Sequence, residues 1–422
     1  MIAIITLIVL TFQSSAMDTL TLDYCYSRVE TNYPLAYKME LQEKITELSQ
    51  EIIATGNYPQ LRFGASASWQ SEVTEFPGGA AFAPQLSQDH YKVSVDVSQT
   101  IYNGGIVGIR KNLEEVRGDQ QQISTEVQLH QLKKQVNQVY FGILLAQKQQ
   151  EVIGVLIENL RAQLQTVKSK VENGVLLASQ QYTLKAELIK AQQDSIEVRS
   201  NILAGYEVLG ELIGKEVLAG TLLKTPDMRF TYLGDELLPK LRPEFALFKS
   251  NRLALDYQQE LAGAKKWPLL AAFGTAAYGR PGFNVFENDL HPFYMLGLRL
   301  QWNFWDWNNA DRQQQILELK QQSIIQEQQA FEWQLQANLS EIRNQIKALR
   351  EQIERDRDII NLREKVVSQL SSQLKQGVVT ATEYITELNK ATQAHLSTLM
   401  HEIQLSKAKV KYQTALGIGD QN

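Results

Sequence analysis

Few residues in this chain are equipped for covalent or metal chemistry: five histidines and one cysteine among 422 residues. His401-Glu402 opens like H-E-x-x-H, in which two histidines one helical turn apart hold zinc and the glutamate beside them serves as base. The second histidine belongs at position 405, which is Leu405, so half of the ligand pair is missing. Gly104 and Gly108 follow a strand-like run, yet no third glycine and no phosphate-cradling lysine follow them. Cys25 alone cannot form a disulfide or a thiolate zinc site within one chain. The sequence therefore predicts no enzyme, no catalytic residue, no cofactor and no metal. Nucleic acid is an equally poor fit. With 42 basic against 47 acidic residues and a formal charge of −5, the chain lacks the basic excess that displaces counterions from phosphate.

A protein without reactive side chains works through its shape, so the elements carry the argument. Hydrophobic residues make up 44% and charged residues 21%, which fits neither a disordered tail nor a helical transporter. Only 10 prolines and 24 glycines point to long, uninterrupted elements. Met1 to Phe12 is almost unbroken apolar sequence and ends in Gln13-Ser14-Ser15-Ala16. That reads as a secretory signal over 1–16, cleaved after Ala16, although no Lys or Arg opens it. No later segment approaches about 18 consecutive apolar residues, so no bilayer-crossing helix is expected. Small apolar residues do not precede Cys25, so no lipid anchor is expected there.

The chain is written twice. Asn103-Gly104-Gly105 and Asp306-Trp307-Asn308 each close a strand-like run, and 306 − 103 is 203. Gly174-Val175-Leu176-Leu177-Ala178-Ser179 matches Gly377-Val378-Val379-Thr380-Ala381-Thr382 at the same offset. Pro34 and Pro59 match Pro243 and Pro268 at an offset of 209, and the difference is absorbed between the paired strands. The expected layout is a first repeat over 17–210, a connector over 211–241, a second repeat over 242–417 and a tail over 418–422. Each repeat runs helix, strand, loop, strand, long helix, helix.

Gly105 to Asn173 contains no proline, and Leu129, Leu132, Val136, Val139 and Ile143 step by heptad spacing. Ile153, Ile157, Leu160, Leu164, Val167 and Val171 continue the pattern, and Leu335, Leu339, Ile342, Ile346, Leu349 and Ile353 repeat it. About 69 residues at 1.5 Å each make a helix of roughly 100 Å, too long for a compact domain. The segments from Pro34 and from Val175 together approach that length, so two short helices are expected against one long one. The seams call for partner helices. Gln120, Gln121, Gln122, Gln147, Gln149 and Gln150 read equally well as a solvated face or as the lining of a wet bore.

Tyr91 to Ile101 alternates, with Val93, Val95, Val97 and Ile101 on one face and Ser94, Asp96 and Ser98 on the other. Leu296, Leu298, Leu300, Trp302 and Phe304 oppose Arg299, Gln301 and Asn303 in the second copy. About eleven residues at about 3.3 Å reach roughly 36 Å, enough to cross a bilayer when tilted. Tyr91 and Tyr294 lie at one end, and Tyr102, Trp305 and Trp307 at the other, as interfacial belts do. Phe63 to Trp69 and Leu270 to Tyr278 supply softer partner strands. Four strands cannot close a membrane barrel, for which about eight is the minimum, and open edges in lipid are costly. Strands and helices both call for several chains.

Over its whole mature length the chain resembles the TolC-like outer-membrane efflux family. The resemblance rests on Arg242-Pro243-Glu244, on Ser98 to Gly105 with its partner Gln301 to Asn308, on the segments from Gly174 and Gly377, and on Ala415-Leu416-Gly417. It implies a mainly α fold with a small β part: long antiparallel coiled-coil helices forming an α-barrel, plus four membrane strands per chain. A homotrimer would complete a twelve-strand barrel in outer-membrane lipid, with the helices in the periplasm. It further implies an exit duct for solutes or proteins, working with a periplasmic adaptor and an inner-membrane RND or ABC pump. The connector and the region after Met17 would form a band around the tunnel's middle.

Family resemblance also suggests where the work is done. Glu383, at 377 + 6 from the second tip glycine, would ring the periplasmic aperture, where three carboxylates attract cations. Gln180 is its counterpart in the first copy; Thr386 stands where a second carboxylate is expected, with Glu387 beside it. Val379 occupies the place of a cationic gate partner, so no charged latch is expected. Gly174, Val175, Leu176, Gly377, Val378 and Val379 would form tips on which adaptor helices dock. Asp96 and Arg299, equivalent in the repeat, would face the barrel lumen and offset each other's charge. Tyr91, Tyr102, Tyr294, Trp302, Trp305 and Trp307 would be interfacial aromatics. The alternative is a soluble periplasmic coiled-coil adaptor or scaffold, which explains the heptads but not the aromatic-flanked strands.

Overall fold

The structure, a computed structural model, describes residues 19–73, 86–218, 220–226 and 241–418. The expected signal at 1–16, residues 227–240 of the connector and the end of the tail lie outside the described residues. The elements run α1 (Leu22–Asn32), α2 (Pro34–Ala54), β1 (Gln60–Trp69), β2 (Asp89–Tyr102), α3 (Ile106–Glu172), α4 (Ala178–Ile213), α5 (Pro243–Ala264), β3 (Leu269–Arg280), β4 (His291–Gln301), α6 (Asn309–Gln376) and α7 (Ala381–Leu416). No described helix is long and apolar enough to cross a membrane.

The duplication is present in the backbone. The starts of α6 and α7 repeat those of α3 and α4 at the first offset read in the sequence (309 − 106 = 203 and 381 − 178 = 203). The starts of α5 and β3 repeat those of α2 and β1 at the second (243 − 34 = 209 and 269 − 60 = 209). Both shorter helices open on proline, whose missing N–H and fixed φ suit the first helical position. Helix α1 was not expected: Thr21 caps it by accepting the Tyr24 N–H, and extended Tyr33 breaks it from α2.

Two compact units divide the chain. One comprises 1–38, 125–245 and 330–422. Its interior is built from the seams read in the sequence: Ile153, Ile157, Leu160 and Val167 of α3 are buried with Leu184 and Leu188 of α4 and Tyr384, Ile385 and Leu388 of α7. Leu335, Leu339, Ile342, Ile346 and Leu349 of α6 are buried with Ala408, Tyr412 and Leu416 of α7. These seams are therefore filled by the chain's own helices, contrary to the expectation that they await other chains. Helix pairs within a repeat satisfy a heptad seam as well as a separate chain does. The exposed apolar rows lie elsewhere: Tyr182, Ile189, Ile196 and Leu203 recur at heptad spacing along α4, and Leu41, Ile45, Leu48 and Ile52 line α2.

The other unit, 39–124 and 246–329, holds the sheet. Its strands form one antiparallel meander in the order β1-β2-β3-β4, leaving β1 and β4 as open edges. Leu113 and Val116 of α3 pack on Ala254 of α5. Strand β4 is offset from its expected span: it begins at His291 and stops at Gln301, so Trp302 and Phe304 lie beyond it. The ladder ends where Gln301 meets Leu269, because the preceding Pro268 has no N–H to continue it.

Candidate functional site

Register sorts every strand residue onto one of two faces. Arg62, Asp96, Thr275 and Met295 pair across the sheet, so they share a face. That face also carries Ser66, Lys92, Ser94, Ser98, Phe273, Phe293 and Arg299. The opposite face carries Leu61, Phe63, Tyr91, Val93, Val95, Val97, Tyr294, Leu296, Leu298 and Leu300, all solvent-exposed in the single chain. Leu296 is 79% and Tyr294 77% exposed, the reverse of a soluble sandwich core.

Asp96 and Arg299 share the polar face but do not touch. The Asp96 carboxylate accepts from the Thr275 hydroxyl at 2.6 Å and the Ser94 hydroxyl at 3.2 Å. Arg299 instead lies 5.0 Å over the ring of Phe273. Each stands at the same distance in sequence from the start of its own long helix (106 − 96 = 10 and 309 − 299 = 10). The alternation along β2 breaks at Ile101, which has no partner in the ladder. A register shift between Thr100 and Tyr102 interrupts it and turns Tyr102 opposite Leu270, onto the apolar face. Below β4, the rings of Trp305 and Trp307 meet edge to face at 5.6 Å, and Trp302 donates its indole N–H to the Lys266 carbonyl at 3.0 Å.

At the other end of the long helices the two tips share one backbone solution. The Gly174 N–H bonds to Val171 and the Val175 N–H to Lys170; the Gly377 N–H bonds to Leu374 and the Val378 N–H to Gln373. This is a Schellman closure with glycine in the left-handed position, at φ 72° and 80°. Leu176 and Val379 turn inward onto the helical core, while Val175 and Val378 are exposed.

The aperture candidates differ sharply in their surroundings. Glu383 closes a capping box: its carboxylate accepts the Thr380 N–H at 2.8 Å, and its own N–H donates to the Thr380 hydroxyl at 3.2 Å. The bonds to that carboxylate from the Thr380 N–H and hydroxyl hold its carboxyl below the usual range. Glu387 accepts from Lys390 at 2.6 Å and from Arg363 of α6 at 2.7 Å, which also lowers its carboxyl. Thr386 donates to the Thr382 carbonyl within α7. Gln180 has a buried side-chain oxygen with no hydrogen-bond partner. Glu383 thus has a structural task the sequence did not assign, and Glu387 is already neutralised.

Several contacts escaped the sequence. The Leu20 and Leu223 segments form a parallel bridge, so the region after Met17 pairs with the connector. The Tyr140 hydroxyl lies 2.8 Å from the Leu20 carbonyl and 2.7 Å from the Lys224 carbonyl. The Tyr206 hydroxyl and Gln147 amide both donate to the Thr221 carbonyl. Gln120 and Gln150 likewise bond to Asn251 and Ser195. Arg242 pairs with Glu244 out of solvent and stacks 5.1 Å over Phe331. Burial works against the Glu244 charge, but the bonds from Arg242 and the backbone win and hold its carboxyl down. Nearby His130 is buried with Nε2 unpartnered; burial first, and then Arg242, push its pKa down to about 4. His401 pairs with Asp356 of α6 at 2.6 Å, and no group of residues among those described could hold a metal ion.

Residues 42–215 match the outer membrane efflux protein family. No curated protein matches the chain in sequence. Among solved structures, the CusC channel superposes with a TM-score of 0.75 at 13% identity, covering 94% of this chain and 92% of that one. VceC of Vibrio cholerae gives 0.72 at 13% identity, covering 95% and 97%. The open-state MtrE channel of Neisseria gonorrhoeae gives 0.70 at 13%, covering 94% and 89%. The chain therefore resembles the TolC-like outer-membrane efflux proteins, in sequence across most of its first copy and in fold along nearly its whole length.

Proposed function

We propose that this chain is one third of a passive outer-membrane duct. Three copies complete a twelve-strand barrel in outer-membrane lipid, and their helices form a periplasmic tunnel. Solutes or proteins enter from a periplasmic adaptor driven by an inner-membrane RND or ABC pump, and no bond is made or broken by the duct. The observation that carries this reading is the four-stranded sheet with an exposed apolar face, aromatic ends and two open edges. In water such a face would invite aggregation; in lipid the face is satisfied and only the edges need neighbours. The exposed rows on α2 and α4 give the helical part a matching need for neighbouring chains.

Val175 and Val378 at the tips are exposed apolar knobs suited to adaptor helices. Glu383 and Gln180 lie beside them at the aperture, but with Glu383 committed to its cap and Glu387 to two cations, the resting mouth is held by apolar tip contacts. The test is to express the full chain, separate outer from inner membrane, extract with detergent and measure native mass. A detergent-dependent trimer in the outer-membrane fraction is expected. Release by salt, or a monomer stable without detergent, would favour the soluble scaffold instead.

A further inference from the structure

The polar face of the sheet is not electrically neutral. Among the described residues, register places Arg62, Lys92 and Arg299 there against a single carboxylate, Asp96, an excess of two positive charges per chain. None of the three cations has a carboxylate ion-pair partner among the described residues. The charged pair on the apolar face, Asp89 with Arg280, cancels itself. The basic residues are also not spread evenly. Arg62 and Lys92 belong to the first copy, and their equivalents in the second are Ala271 (62 + 209) and Met295 (92 + 203). Where the first copy has Gly64 and His90, the second has Phe273 and Phe293 on the same face.

The second hairpin leaves room for those rings, which are half-buried on the polar face. Gly297 lacks the side chain that would strike the Phe273 ring, its Cβ position lying 2.7 Å from that ring. Arg299 covers the same ring as a flat cation. Phe283, from the β3–β4 loop, folds back to meet Phe293 edge to face at 4.8 Å. Around a ring of three chains, basic staves would alternate with aromatic ones. A cation over an aromatic ring, next to a lysine stave, suits a negatively charged solute with an apolar body.

We propose that the barrel interior selects for anions, aromatic anions foremost, through Arg62, Lys92 and Arg299. This rests on the duct reading above, with the polar face turned to the lumen. A lumen potential of about one kT enriches anions over cations roughly sevenfold. At about 0.1 M salt the Debye length is about 10 Å, and it shrinks to about 3 Å at about 1 M, so the preference must fade as salt rises.

The experiment inserts the full-length trimer into planar bilayers and measures the chloride-to-potassium permeability ratio from the reversal potential in a potassium chloride gradient. The expected ratio is above one at about 0.1 M salt, where screening is weak, and 2-naphthalenesulfonate should reduce chloride current more than ethanesulfonate does. Arg62→Gln with Lys92→Gln should lower the ratio severalfold, while Arg62→Lys with Lys92→Arg keeps it. Asp96→Asn should raise it. The proposal stands only if the wild type prefers chloride and the charge-removing pair loses that preference while the charge-keeping pair does not. A conducting channel that fails either condition overturns the selectivity and leaves the duct intact. Absence of conductance from a properly assembled trimer overturns both.

Discussion

Where β2 gives way to α3, the chain turns through Gly104 and Gly105, both at positive φ, 64° and 81°. Where β4 gives way to α6, at the equivalent place in the second copy, the same turn is made by Trp307 and Asn308 at 54° and 57°. Glycine enters this region freely and asparagine at small cost, but a tryptophan there costs of order 1–2 kcal/mol. The first copy uses its freedom for packing: a Cβ on Gly104 would come within 3.0 Å of the Ala264 carbonyl and of Trp267. The second accepts strain and gains an exposed indole edge-on to Trp305. Strained backbone persists where its side chain is needed, and the foot of an apolar strand is where an amphipathic ring anchors best in a lipid interface. Duplication fixed the backbone; the two copies then diverged in what they present to their surroundings.

The widest contrast is between the two sides of the sheet. Leu298→Arg puts a charge on the exposed apolar face, and near a bilayer midplane that costs about 2–4 kcal/mol in every chain. Trimers should vanish from the outer-membrane fraction, read as loss of the heat-sensitive oligomer band on gels. Asp96→Leu, on the other side, should assemble normally. If both behave alike, the sides are not lipid and water.

Helix entries diverge next. Arg242-Pro243-Glu244 opens α5, while Tyr33-Pro34-Leu35 opens α2 at the offset of 209, and only the former lies near a buried histidine. His130 is 8% exposed, whereas its counterpart Trp333 (130 + 203) is 75% exposed. With a folded pKa near 4, below the unfolded value of about 6.5, His130 takes its proton more readily when unfolded. Stability from this group is therefore flat above about pH 6.5 and declines as pH drops toward 4, by about 3 kcal/mol per chain. Arg242, Lys133 and Lys134 oppose the proton, and Glu244 favours it. The thermal midpoint of the detergent-held trimer should fall as pH is lowered from about 7.5 to about 4.5, and His130→Gln should flatten that fall. An unchanged slope in the variant would place the pH response elsewhere.

The turns themselves can be exchanged. Gly104→Ala should destabilise by about 1–2 kcal/mol, since it adds both a poor φ and a crowded Cβ. Trp307→Gly should relieve about 1 kcal/mol in chemical denaturation while weakening retention in the membrane fraction. Stability and anchoring moving in opposite directions is the signature of strain kept for a purpose.

Much of this architecture was legible because its signals are periodic and doubled. Heptads over α3 and α6 marked helices whose ends agree with the expected reversals at Gly174 and Gly377. Alternation over β2 and β4 sorted the sheet's two faces correctly as far as Thr100, beyond which a one-residue irregularity defeats a period of two and puts Tyr102 on the apolar face. The limit of β4 was missed because a ladder ends where its partner ends, and Pro268 lies at the far end of the hairpin sequence from Gln301. Heptads also do not say which helix fills a seam, so interior rows and exposed rows such as Tyr182 to Leu203 looked alike. The Tyr140, Tyr206 and Arg242 contacts have no local sequence pattern to mark them.

The finest contrast is at the tips, where α4 and α7 begin. Thr380 and Glu383 form a reciprocal cap, but their equivalents in the first copy are Leu177 (380 − 203) and Gln180 (383 − 203). Leu177 offers no side-chain cap, and the Gln180 oxygen is left unpartnered. Thr380→Ala should cost about 1 kcal/mol, as loss of a threonine cap does. Leu177→Thr with Gln180→Glu should return about 0.5–1 kcal/mol by building the missing box on α4. Native-state hydrogen exchange at the first turns of both helices measures this directly. Protection should rise at positions 178–181 in the transplant and fall at 381–384 in Thr380→Ala. If protection rises at α4 while the open-channel current in bilayers is unchanged, the cap is a fastening of the helix and not a gate. A fall in current instead would mean that the uncapped first tip is kept loose so that the mouth can open.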